Sequence, residues 1–152
     1  MGRIEDAIRS YLREDDWPLE ESELDGVLVT RIGGTSGDWI LVTVVREDEE
    51  QLLLYSVYPD LVPEQHLDEA MTYVTRANWD LSIGAFELDL DTGEARFRTS
   101  IDLEGVDPSE PLLRSLVQSN VVVMDRYLPG LEAICRGEPA DDTIAEIEAH
   151  RA

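Results

Sequence analysis

Residues 76–103 read RANWDLSIGAFELDLDTGEARFRTSIDL, the end of a helix followed by a β-hairpin. Phe86, Leu88 and Leu90 alternate with Glu87 and Asp89. After the Asp91-Thr92-Gly93-Glu94 turn, Ala95, Phe97, Thr99 and Ile101 alternate with Arg96, Arg98, Ser100 and Asp102. Alternation on both arms of a glycine turn is the pattern of a half-buried hairpin. Setting Leu90 opposite Ala95 puts Glu87 across from Arg98 and Asp89 across from Arg96, two pairs of opposite sign. Each such pair contributes roughly 0.2–1 kcal/mol, which fixes register more than it adds stability.

Before the hairpin, Leu67, Ala70, Met71 and Val74 make the apolar stripe of a helix over residues 63–78. Pro63 favours its start, and Asn78 tolerates a left-handed cap at its end. Three strands precede it, residues 26–32, 38–46 and 51–58, joined by connections short enough to make them antiparallel neighbours. Residues 39–45 are apolar almost without alternation, and Leu52-Leu53-Leu54-Tyr55 continues the pattern. An antiparallel strand ordinarily keeps one wet face, so both faces of this sheet are expected to be at least partly covered, by a partner chain or by another helix. Ile4, Ala7, Ile8, Tyr11 and Leu12 predict a first helix ending near Trp17-Pro18, with the acidic residues 19–25 as a connector.

After the hairpin, Asp107-Pro108-Ser109-Glu110-Pro111 supplies capping residues and an early proline for a third helix. Pro129 is expected to kink or break it near residues 125–128, leaving a short final helical piece. The fold is thus α+β, one domain with a mainly antiparallel sheet of about five strands in the order α-β-β-β-α-β-β-α. Residues 1–137 form this domain, and residues 138–152 an acidic C-terminal tail, weakly helical or mobile, with Ile144 and Ile147 as its only anchors.

The third helix carries too many apolar residues for one stripe, since Val121, Val122 and Val123 alone fan across roughly 200° of its circumference. Leu112, Val121, Val122, Val123 and Met124 are therefore candidates for an interface, with the first helix as the competing cover. The candidate rim of a pocket between helix and sheet is Asn78, Trp79 and Asn120. Asn120 lies on an apolar stripe where a buried amide must find partners, as a tie between helix and sheet or as a contact to a ligand.

Charge sets the class of partner. The 152 residues carry 34 acidic side chains against 12 basic ones, all arginine, for a formal charge of −22. Such a field opposes nucleic acid and anionic membrane. A single cysteine, Cys135, and an amphipathic start without the apolar core of a signal peptide point to the cytoplasm. No cofactor or metal is expected: His66 and His150 share no ligand spacing, and in Asp89-Leu90-Asp91-Thr92-Gly93 the glycine falls one place early for a calcium loop. The Gly33-Gly34-Thr35-Ser36-Gly37 segment lacks the Gly-Lys-Ser/Thr ending of a phosphate loop and reads as a hairpin loop. No acid, base and nucleophile assemble into a catalytic set.

The order Arg76, Asn78, Leu81, Gly84, Phe86-Glu87, Asp89, Gly93 and Phe97-Arg98 continues into Asn120-Val121, Met124-Asp125 and Tyr127-Leu128-Pro129-Gly130. It resembles the YbjN-domain family of bacteria, from about the first helix to Gly137. The resemblance implies a sensory-transduction regulator with a fold related to type III secretion chaperones, which are small, acidic and frequently dimeric, and it brings no catalytic residues. The expected function is a non-enzymatic protein-interaction module that binds a protein client as a regulatory adaptor or chaperone and forms a homodimer. A small-molecule-sensing domain is the alternative.

Overall fold

A computed structural model describes residues 2–150. In chain order the elements are α1 (Arg3–Glu14), β1 (Glu20–Glu21), β2 (Val27–Gly33), β3 (Asp38–Arg46), β4 (Gln51–Leu61), a 3-10 turn (Glu64–His66), α2 (Leu67–Asp80), β5 (Ala85–Leu88), β6 (Glu94–Asp102), α3 (Glu110–Cys135) and α4 (Ala140–Ala149). The strands form one antiparallel sheet in the order β1-β2-β3-β4-β6-β5, so the chain is a single α+β domain. The strand beyond the expected five is β1, where Glu20 pairs with Val29 and Glu21 with Leu28. Two glutamates carry no apolar alternation, so the stretch reads as a connector until its partner strand is in place.

Every second residue of β3 and β4 is buried: Trp39, Leu41, Thr43 and Val45 on one, Leu52, Leu54, Ser56 and Tyr58 on the other. The apolar ones join Ile4, Ile8 and Leu12 of α1, Tyr73 of α2, Leu113, Val117 and Met124 of α3 and Ile144 of α4 in one core. The helices therefore share one face of the sheet.

The hairpin register differs by two residues from the expected one: Leu88 stands opposite Ala95, Phe86 opposite Phe97 and Glu87 opposite Arg96. Asp89 leaves the ladder to close the turn. Its Oδ1 accepts from the N–H of Asp91 at 2.8 Å and of Thr92 at 3.3 Å, and its carbonyl accepts from Gly93 N–H at 2.8 Å. Gly93 takes the left-handed φ of 83° that this turn requires. Both arginines still reach one acid, Arg96 at 2.8 Å and Arg98 at 3.2 Å from Glu87.

The break expected at Pro129 is absent, and α3 runs unbroken through it. A proline lacks the N–H that would serve the carbonyl four residues back, here that of Asp125. The Ser36 hydroxyl reaches that carbonyl instead, at 2.5 Å, and shares its one hydrogen with Asp125 Oδ1 at 2.7 Å. Next to the proline, a Cβ on Gly130 would collide with the Tyr73 ring; the bare backbone admits that ring, whose hydroxyl donates to the Tyr127 carbonyl at 2.8 Å. Within the segment expected as a tail, residues Ala140–Ala149 form the helix α4. Ala140, Thr143 and Ile144 of α4 are buried, Ala140 N–H donates to the Glu69 carboxylate at 2.6 Å, and Arg76 pairs with Asp141 at 2.8 Å. Residue 1 of the expected domain and residues 151 and 152 of the tail lie outside the described residues.

Candidate interaction surfaces

The face of the sheet turned away from the helices holds the positions between the buried ones, and register arranges them in rows. One row runs Val27, Val44, Leu53, Ser100; the next Glu20, Val29, Val42, Tyr55, Arg98, Ala85; the third Arg31, Ile40, Val57, Arg96, Glu87. Eight apolar side chains thus form a continuous patch across β2, β3 and β4, and among the described residues no helix lies over it. Ile40 is 37% exposed. At the end of these three strands a concavity of about 640 Å³ is lined by Arg31, Ile40 and Val57, among others.

Four of the twelve arginines, Arg31, Arg46, Arg96 and Arg98, lie on this face. With Glu20, Asp38, Glu87, Glu94 and Asp102 beside them, it is close to neutral within a chain of formal charge −22. The arginines are anchored: Arg31 pairs with Glu20 at 2.9 Å, and the Arg96 guanidinium lies 4.0 Å from the centre of the Tyr55 ring. Cation and ring keep the patch polar at its rim and apolar at its centre.

Each edge of the sheet is covered over part of its length. At β5 the Asn78 side chain stands in for a neighbouring backbone, its Nδ2 donating to Phe86 O at 3.0 Å and its Oδ1 accepting from Phe86 N–H at 2.7 Å. At the other edge β1 is two glutamates long. Short and charged edges resist strand addition.

The three expected rim residues do not share a pocket. Asn78, expected to cap α2, lies within the helix and is spent on β5. Asn120 is fully buried. Its Oδ1 accepts from Ser56 Oγ at 2.5 Å, and its Nδ2 donates to Leu54 O at 3.0 Å, Phe97 O at 3.2 Å and Thr99 Oγ1 at 3.1 Å. Trp39 Nε1 donates to the same Ser56 hydroxyl at 2.9 Å. Both N–H groups, shared among three acceptors, and one lone pair of Oδ1 are thereby used to tie α3 to β4 and β6. Trp79 is 88% exposed and lines a groove between α2 and α4, not between helix and sheet.

The candidate interface residues of α3 also separate. Met124 is fully buried, while Leu112, Val121 and Val123 are half-buried against the core; Val122 is exposed, at 55%, between the exposed Gln118 and the half-buried Arg126 of neighbouring turns. The fan of valines is divided between the margin of the core and solvent, and α1 packs against α3.

The glycine-rich loop does hold an anion, and the anion is the protein's own. Asp125 accepts from Thr35 N–H at 3.1 Å and Ser36 N–H at 2.9 Å. Burial pushes the Asp125 carboxyl up, but hydrogen bonds from the amides and hydroxyls of Ser36 and Thr35 outweigh it and hold it below the ordinary carboxylate range. Burial pushes the Cys135 thiol up, away from the thiolate a nucleophile needs. Among the described residues no helix is long and apolar enough to cross a membrane.

The YbjN family model, described as "Putative bacterial sensory transduction regulator", matches residues 5–133. A crystal structure of YbjN from E. coli, described as "a putative transcription regulator", shares the fold with a TM-score of 0.65 at 12% identity, covering 86% of this chain and 91% of that one. A chain of the HopA1-SchA chaperone-effector complex aligns with a TM-score of 0.48 at 21% identity, covering 80% of this chain and 88% of that one. No curated protein sequence matches.

Proposed function

The chain belongs to the YbjN family, and from that premise we propose that it acts in the cytoplasm as a non-enzymatic regulatory module that binds a protein client. The observation that carries this reading is the apolar patch on the open face of the sheet. A continuous apolar surface rimmed by polar groups is the ordinary composition of a protein-binding surface. With part of each edge covered, by β1 and by the Asn78 side chain, recognition is by side chains on the face and not by strand addition. The client segment is apolar, with carboxylates at its flanks to meet Arg46 and the rim arginines.

A photo-crosslinking residue placed at Val42 tests this, with Val122 as the control position. Crosslinking in cells to a discrete protein at Val42 and not at Val122, lost on Tyr55→Glu in a variant that keeps its circular dichroism and melting temperature, supports the reading. Crosslinks at Val122 alone, or none, overturn it. A metabolite that raises the melting temperature while no client is captured returns the small-molecule sensor.

A homodimer is the second reading, and the near neutrality of the open face favours it there over α3. Two chains of charge −22 repel across nearly every other surface. Light scattering distinguishes a dimer from the 17.1 kDa monomer. Dissociation by Val42→Glu but not by Val122→Glu assigns the contact to the sheet.

A further inference from the structure

We infer that the groove between α2 and α4 is a docking site for a basic segment of a partner protein, seated on Trp79. The groove has a volume of about 670 Å³, with Met71 and Ile144 among its apolar lining. Trp79 stands on the last turn of α2 with 88% of its surface in water, the most exposed of the large apolar side chains among the described residues. An indole left this open is a ready face for a flat or cationic group.

Charge selects the second. The groove's one arginine, Arg76, is already paired with Asp141 at 2.8 Å. Asp80 and Glu148 line the same groove and have no ion-pair partner among the described residues. An aromatic face beside two uncompensated carboxylates suits an arginine better than any other side chain. Its guanidinium stacks on the ring while its edge forks a carboxylate. An apolar residue beside it in the segment fills the space over Met71 and Ile144. The net charge of −22 draws such a segment in from a distance and repels acidic alternatives. This site is separate from the sheet face, where the arginines belong to the protein and the client's flanks are acidic.

The test is fluorescence anisotropy on the full chain, with a fluorescein-labelled twelve-residue peptide alternating arginine and leucine as the probe and a glutamate-leucine peptide as the control. Saturable binding of the basic peptide alone is expected, weakened by salt. Trp79→Ala leaves the net charge unchanged and is expected to weaken binding about tenfold. Trp79→Phe recovers part of the loss, and Asp80→Asn with Glu148→Gln weakens binding further. The exposure of Trp79 makes these variants safe for folding, which circular dichroism checks. Equal affinity of Trp79→Ala and wild type overturns the proposal, because the attraction is then the diffuse field of the whole chain. A dimer that Trp79→Ala dissociates also overturns it and makes a second copy the occupant. Val42→Thr, which changes the sheet face alone, leaves peptide binding unchanged, so failure of the client reading is distinguishable from failure here.

Discussion

Replacing Asn120 by alanine removes an acceptor from the Ser56 hydroxyl and a donor from Leu54 O, Phe97 O and Thr99 Oγ1, all in a region without exposed surface. The carbonyls have second lone pairs and the hydroxyls can turn, so about two groups are left without a partner. At about 1–2 kcal/mol each, the cost is about 2–4 kcal/mol, with a small cavity included. For a domain of this size that lowers the melting temperature by on the order of 10 °C. Urea unfolding followed by circular dichroism should show a lower midpoint at unchanged slope. Asn120→Asp sharpens the test, because a carboxylate there would face two carbonyl oxygens that only accept. Its folded pKa is raised, so the acid is tolerated near pH 4. Stability then falls as pH rises through and above the unfolded value of about 3.9. A change within about 0.5 kcal/mol for Asn120→Ala would refute the account of this amide as a tie between helix and sheet.

Thr43 is fully buried with an unpartnered hydroxyl, so Thr43→Val is expected to stabilise by about 1 kcal/mol in the same urea assay. Ser36→Ala should cost about 1–2 kcal/mol in the native chain and clearly less after Pro129→Ala, whose restored N–H serves the Asp125 carbonyl; a double-mutant cycle measures the difference. Asp125, held below the ordinary carboxylate range, contributes stability that is present above its unfolded pKa of about 3.9 and is lost as pH falls through its folded value; Asp125→Asn should flatten the acid limb of the stability profile. Asn78→Ala uncovers the N–H and C=O of Phe86 at the sheet edge, and concentration-dependent association should rise in light scattering.

The parts legible from sequence are those set by local periodicity. Order and class of the main elements follow from alternation and helical stripes, and the excess apolar surface of residues 39–45 is visible because both parities are apolar. Parity alone does not show that Thr43 is buried while Ile40 is half open, since that depends on which side the helices take. The hairpin slipped because Asp89 has a second use, closing the turn with its side chain, that outweighs a cross-strand pair with Arg96. That Pro129 does not break α3 was less legible still, because the group that reaches the carbonyl left without its N–H is Ser36, far away in sequence. The groove at Trp79 needed α4, whose docking rests on the small Ala140 and on Glu69 receiving its first N–H.

The residues that carry the family resemblance are largely consumed by the fold. Asn78 covers an edge, Asn120 ties α3 to two strands, Asp125 fills the loop that Ser36 crosses, and Gly130 makes room for Tyr73. All four positions serve contacts within the chain. On the readings proposed above, the apolar contacts to a partner fall instead on Val42 and Tyr55 of the open face and on Trp79 in the groove, which lie outside that pattern. The two surfaces differ in charge, one close to neutral, its arginines mostly paired, and the other bearing two carboxylates without an ion-pair partner among the described residues. On the same readings, like-charge repulsion excludes an acidic segment from the groove at Trp79, while the near-neutral open face selects by its apolar area.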